Sequence, residues 1–109
     1  MTMRQTNTDL WRYYDIANYK HFRNRLPKDI PIRFANLPRT VLGRTCICNH
    51  GIPQAIEISN TLRKFQGHTI MTMLHEMVHV ENPKWKGHGW KFEHRMLKLA
   101  KARAFAGLW

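Results

Sequence analysis

The run His75-Glu76-Met77-Val78-His79 is where this sequence can do chemistry. On a helix, two histidines four residues apart project from one face, close enough to share one zinc ion. Glu76 lies one step round, near enough to reach a water on that ion without being a ligand. With seven His and four Glu in 109 residues, such a run arises by chance about 0.02 times per chain. The flanking Ile70, Met71, Met73, Leu74 and Val78 make the helix apolar almost all round, which reads as a buried helix. Two histidines and a glutamate placed there are costly unless paired or metal-bound. The chemistry expected is metal-assisted hydrolysis. Zinc brings the pKa of a bound water towards about 7, and Glu76 is placed to accept its proton.

A hydrolytic zinc needs three protein ligands and one open position. Downstream candidates for the third are His88, Glu93 and His94. His88 is favoured: it stands between Gly87 and Gly89, after an eight-residue loop from Val80 to Gly87 that lets the chain fold back. Glu93 and His94 lie a turn further in, where either suits a partner that orients a ligand. Cys46, Cys48 and His50 alternate along one stretch and are weighed as a second metal site, but buried free thiols in a strand are the commoner arrangement. The two cysteines are too close for good disulfide geometry. His21, His50 and His68 lack comparable context and read as surface or packing residues.

These side chains need a scaffold. Residues Met1 to Thr8 read as a loose tail, and 9–109 as a single domain. Thr8 or Asp9 caps a first helix running to about Arg25, with Leu10, Tyr13 or Tyr14, Ala17 and His21 or Phe22 on its apolar side. Strands are expected over Ile30–Phe34, Val41–Cys48 with Gly43 as a bulge, and Gln54–Ser59. The motif helix starts at Gly67 or His68 and runs to Val80, where Asn82-Pro83 stops it, and a last helix covers Gly89 to Ala104. Helix, three strands, helix, helix is an α+β plan with a small sheet that is at least partly antiparallel.

Composition narrows the class. Eighteen Lys+Arg against seven Asp+Glu give a formal charge of +11 on 109 residues, yet 43% hydrophobic content argues for a packed domain. No apolar run reaches the length of a membrane span, and the polar start lacks a signal-peptide core, so a monomeric cytoplasmic protein is expected. Such a charge speaks of partners, and nucleic acid is the commonest intracellular polyanion. Lys84, Lys86, Lys91, Arg95, Lys98, Lys101 and Arg103 cluster at the end against Glu93 alone, and Lys91, Arg95, Lys98 and Lys101 share one face of the last helix. A one-signed helix repels itself, so Lys84, Lys86, Lys91, Arg95, Lys98 and Lys101 are taken as contacts to DNA. Lys20, Arg23, Arg25 and Lys28 form a second group, explained as well by the dipole at a helix C-terminus. Trp85 and Trp90 flank the third ligand and suit base stacking, a cleft wall or the core equally.

The motif His75-Glu76-Met77-Val78-His79, followed by His88-Gly89-Trp90-Lys91-Phe92, resembles the paired signature of SprT-like zinc metalloproteases. The resemblance spans nearly the whole chain, with an N-terminal helix, Leu26-Pro27 leading into Ile32-Arg33-Phe34, and Ile56-Glu57-Ile58-Ser59 before the motif helix. It implies one zinc on His75, His79 and His88, with Glu76 as the catalytic acid/base. It also implies a protein substrate bound on, or crosslinked to, DNA. The chain departs from that pattern in a shorter gap before the third histidine and in the absence of a C-terminal zinc ribbon, since it stops at Trp109. By analogy with related metalloproteases, Ala55 to Ser59 is expected to be an edge strand that holds extended substrate. The alternative is a nucleic-acid-binding module whose zinc is structural or inactive. An open fourth position beside a free glutamate argues against it, because structural sites are closed by four ligands.

Overall fold

A computed structural model describes residues 7–84 and 88–102. The fold is α+β, in the order α1 (Thr8–His21), β1 (Ile32–Ala35), β2 (Gly43–Ile47), β3 (Pro53–Ser59), a 3-10 turn (Asn60–Leu62), α2 (Gln66–Glu81) and α3 (Trp90–Lys101). The expected tail over Met1 to Thr6 and the expected end of the last helix beyond Ala102 lie outside the described residues. Among the described residues no helix is long and apolar enough to cross a membrane.

Local chemistry moves several boundaries. The cap of α1 is Asn7, whose side chain accepts from the Leu10 amide at 3.1 Å, leaving Thr8 and Asp9 inside the helix. At its other end α1 stops at His21 instead of Arg25, because Arg23 and Asn24 turn left-handed, with φ of 53° and 61°. Asn18, fully buried, fixes that reversal. Its backbone carbonyl accepts from the Phe22 and Asn24 amides, and its side chain pairs both ways with the Leu26 backbone at 3.1 Å. Phe22 and Leu26 can therefore both enter the core, which a continued helix would forbid. β1 begins at Ile32, since Pro31 has no amide to donate and contributes only its carbonyl, to Ile56 at 2.9 Å. β2 is shorter than expected, and its irregularity falls between Cys46 and Ile47, not at Gly43.

The three strands lie in the order β1-β3-β2. β3 runs parallel to β1, with Ile32 opposite Ile56, and antiparallel to β2, with Gly43 opposite Ile58. This overturns the expectation that Ala55 to Ser59 forms an edge: it is the central strand, buried from Ala55 to Ser59, and β1 and β2 are the edges. The hairpin turn before β3 puts β2 on one side of it, and the chain returning from α1 puts β1 on the other.

α2 packs against β2 and β3, α1 against β1 and α2, and α3 against α2. Ile32, Ile56 and Ile58 from the sheet meet Leu10 and Tyr14 of α1, Met73, Leu74, Met77 and Val78 of α2, and Phe92 and Leu99 of α3. A cross-strand ladder sits beside this core. Glu57 on β3 stands opposite Arg33 and Arg44 and pairs with both. Burial alone would raise the Glu57 carboxyl, but hydrogen bonds from Arg44 and Arg33 outweigh it and hold it below the usual carboxylate range. The α2 segment carrying the histidines is thus clamped between a sheet on one side and α3 on the other.

Candidate metal centre

His75 and His79 lie one turn apart on α2, and His88 arrives from just before α3, one residue ahead of its N-cap Gly89. The three side chains converge, with one potential ligand atom from each within 4.8 Å of the others. The Nε2 atoms of His79 and His88 are 3.2 Å apart. These histidines are close enough to bind a metal ion. Of the three candidates for a third ligand only His88 joins this group; Glu93 and His94 are exposed on α3.

Phe92, buried in the first turn of α3, floors the group. Its ring centroid lies 4.8 Å from that of His75 and 4.7 Å from those of His79 and His88. An apolar floor excludes water from one side of the imidazoles and limits their rotation. Burial lowers the His79 pKa below the ordinary imidazole value, His75 and His88 push the same way, and the Glu76 carboxylate opposes them. Neutral imidazole is the form that binds a metal.

Glu76 is only 3% exposed, and both of its oxygens have partners. Thr45 on β2 donates to Oε1 at 2.9 Å, with the Glu76 backbone carbonyl at 3.2 Å from the same hydroxyl. His75 Nδ1 lies 3.0 Å from Oε2. Each carboxylate oxygen has two acceptor sites, so one remains open on each. β2 can approach α2 this closely because residue 43 is glycine. A Cβ there would stand 2.6 Å from Thr72 Cγ2 and 3.3 Å from Glu76 Cγ. Thr45 and the packing role of Gly43 escaped sequence reasoning, since both depend on how β2 is placed against α2. Gly43 and Thr45 share that face, opposite Ile58 and Ile56, and the irregularity after Cys46 turns Ile47 away from it.

Thr45→Ser retains the hydroxyl and is expected to keep the stability of wild type within about 0.5 kcal/mol. Thr45→Val is expected to cost about 1–3 kcal/mol of stability, because a buried acceptor loses its donor. Thermal melts of the two variants measure the difference, and equal melting temperatures for Val and Ser would mean that the Thr45 hydroxyl does not hold Glu76.

His75, His88 and Glu76 border a cleft of about 580 Å³ between the start of β2 and α2, whose other walls include Val41, Leu42, Met71 and Met96. It is largely apolar and is lined on one side by the start of β2, an edge strand.

The remaining sequence candidates fall as follows. Lys84, Lys91, Lys98 and Lys101 are exposed, while Lys86, Arg103 and Trp85 lie outside the described residues. Arg95 differs from its neighbours. It forms a bidentate pair with Glu81 at 2.7 and 3.1 Å, donates to the His21 carbonyl at 2.8 Å, and stacks over Phe22 at 4.8 Å. Trp90 is exposed, with Lys91 Nζ 5.8 Å from its ring. Cys46 and Cys48 are free and half-buried. Burial raises the Cys46 thiol, whose sulfur is 3.8 Å from Glu57 Oε1, and among the described residues neither cysteine nor His50 belongs to a metal-binding group. Comparison of the chain with protein-family models, with curated proteins and with solved structures found no match.

Proposed function

We propose that this protein is a zinc-dependent endopeptidase acting on proteins associated with nucleic acid, with His75, His79 and His88 as zinc ligands and Glu76 as general base. The observation that carries the reading is the convergence of three imidazoles beside a buried, spare-valenced carboxylate that lines a cleft. Three nitrogen donors suit zinc. Two ligands of one tetrahedral zinc at about 2.0–2.1 Å stand roughly 3.3 Å apart, against 3.2 Å for His79 and His88. Three protein donors also leave the fourth position free, as hydrolysis needs and structural sites lack.

Zinc in this place supplies a Lewis acid that acidifies water and polarises a peptide carbonyl. The chain does the rest. Glu76 takes the proton on an oxygen whose other acceptor site is already held by Thr45 or His75, so its position is set before substrate arrives. The same carboxyl then returns the proton to the leaving amine. β2 pairs with β3 on one side only, so its free backbone groups can align an extended polypeptide along the cleft. The net charge of +11 supports nucleic acid as the place where substrate is met.

One contact favours a second reading, a nucleic-acid-binding module with a structural metal. The 3.0 Å approach of Glu76 to His75 Nδ1 is the geometry of a carboxylate that orients a ligand. Metal content and cleavage separate the two. The wild-type chain is expected to hold one zinc, to cleave a DNA-bound protein, to lose cleavage on chelation and to regain it with zinc. His88→Ala is expected to weaken zinc by more than the roughly 10–100-fold cost of losing an outer partner. Cleavage by the zinc-free chain would end the proposal.

A further inference from the structure

Arg95 joins two basic groups that lie 60 or more residues apart in sequence. On α3, successive residues are about 100° apart. Buried Phe92 and Leu99 define the inward direction, with Arg95 roughly 50° to one side and Met96 roughly 50° to the other. Met96 lines the cleft. Arg95 instead reaches the end of α1, where it meets the His21 carbonyl and the Phe22 ring. Lys91 and Lys98, four before and three after Arg95, lie further round on the Arg95 side and are exposed. The cleft and the lysine flank therefore occupy opposite sides of α3.

At the end of α1, Lys20, Arg23 and Arg25 are all exposed. Their backbone is held rigidly by the buried Asn18 clamp, with Arg23 at φ 53°. Arginine pays a steric cost at a left-handed position that glycine would avoid, so a charged residue there needs a reason beyond the turn. The helix dipole explains cations on the last turn of α1, but not Arg23 and Arg25, which lie past it on the segment that follows the Arg95 contacts at His21 and Phe22. Burial, Lys20 and Arg95 together lower the His21 pKa, which places both cations within electrostatic reach of one side chain. Glu81, the acid that Arg95 meets here, is already paired with it.

We propose that the phosphate backbone of nucleic acid lies across a composite surface made of Lys20, Arg23 and Arg25 at the end of α1 and Lys91 and Lys98 on α3, with Arg95 as the bolt between them and not a contact. Nucleic acid is thereby held behind α3 while the cleft on the other side stays open to protein. The inference rests on the nucleic-acid part of the proposed function and not on the metal centre.

The test is the salt dependence of binding of a short DNA duplex by the full chain. Each lost phosphate contact lowers the slope of log K against log salt by about 0.9. Arg23→Gln with Arg25→Gln is expected to lower it by about 1.8, as is Lys91→Gln with Lys98→Gln. Arg39→Gln with Lys64→Gln removes the same charge elsewhere, Lys64 lying before the opposite end of α2 from Glu81, and is expected to leave the slope unchanged. All six positions are exposed, and thermal melts confirm folding. A wild-type chain without salt-dependent DNA binding overturns the nucleic-acid reading itself. Wild-type binding with an unchanged slope in the Arg23/Arg25 variant, or an equal loss in the Arg39/Lys64 control, overturns this surface alone.

Discussion

Glu76→Gln is expected to leave a folded chain that still takes up one zinc but cleaves protein about 10²–10⁴-fold more slowly, the usual contribution of a general base. Glutamine keeps the size of the side chain at a position only 3% exposed, and its carbonyl oxygen can still accept from Thr45, now 2.9 Å from Oε1. What it loses is the ability to take a proton. The His75 contact makes this variant decisive, because a carboxylate can serve a metal site in two ways. If Glu76 mainly orients His75, replacing it weakens zinc by roughly 10–100-fold, and activity returns when zinc is raised to saturation. If Glu76 is the base, zinc affinity changes little and saturation restores nothing. Zinc titration and cleavage at saturating zinc, measured on one preparation, give both answers. Full activity at saturation would sink the assignment.

What could be read from the sequence follows the range of the interactions involved. The spacing of His75 and His79 is a property of one helix, so the pair was visible from five consecutive residues. His88 was reachable because the loop before it is short and His88 itself stands between two glycines. The order of elements was likewise legible from local patterning. Features set by distant partners were not. β3 is central because β1, separated from it in sequence by β2, pairs with it in parallel, and nothing within Ala55–Ser59 reports that neighbour. The stretch reads as alternating, with Glu57 on the polar side, yet all of Ala55 through Ser59 is buried, because the charge of Glu57 is balanced by arginines 24 and 13 residues away. Arg95 misled for the same reason. Its spacing places it in the lysine stripe, while its actual partners are Glu81, His21 and Phe22. The early end of α1 depends on Asn18 reaching Leu26, a contact that helical periodicity cannot anticipate.

Phe92→Ala tests whether the metal centre is shaped by packing as much as by ligands. The Phe92 ring is 4% exposed and contacts all three imidazoles, with centroids 4.7 to 4.8 Å away. Truncating a buried phenylalanine costs about 3–5 kcal/mol, and at roughly 4 °C or more per kcal/mol the melting temperature falls by more than about 12 °C. Zinc should be affected as well. With the floor removed the imidazoles gain rotamers that must be given up on binding, and α3, which follows His88, loses one of its two buried anchors, leaving Leu99. The stabilisation conferred by zinc grows with the logarithm of concentration over Kd, so each tenfold loss of affinity removes about 1.4 kcal/mol of it. The zinc-induced rise in melting temperature is therefore expected to be smaller in Phe92→Ala than in wild type. Phe92→Leu, which refills most of the volume, should recover stability more fully than zinc affinity, because a branched aliphatic chain cannot lie flat against His79 as the aromatic ring does, at an interplanar angle of 26°. Melting curves with and without zinc on the three proteins separate these effects. An identical zinc-induced shift in all three would mean that the histidines are held by α2 and the loop alone, and that Phe92 serves only the core.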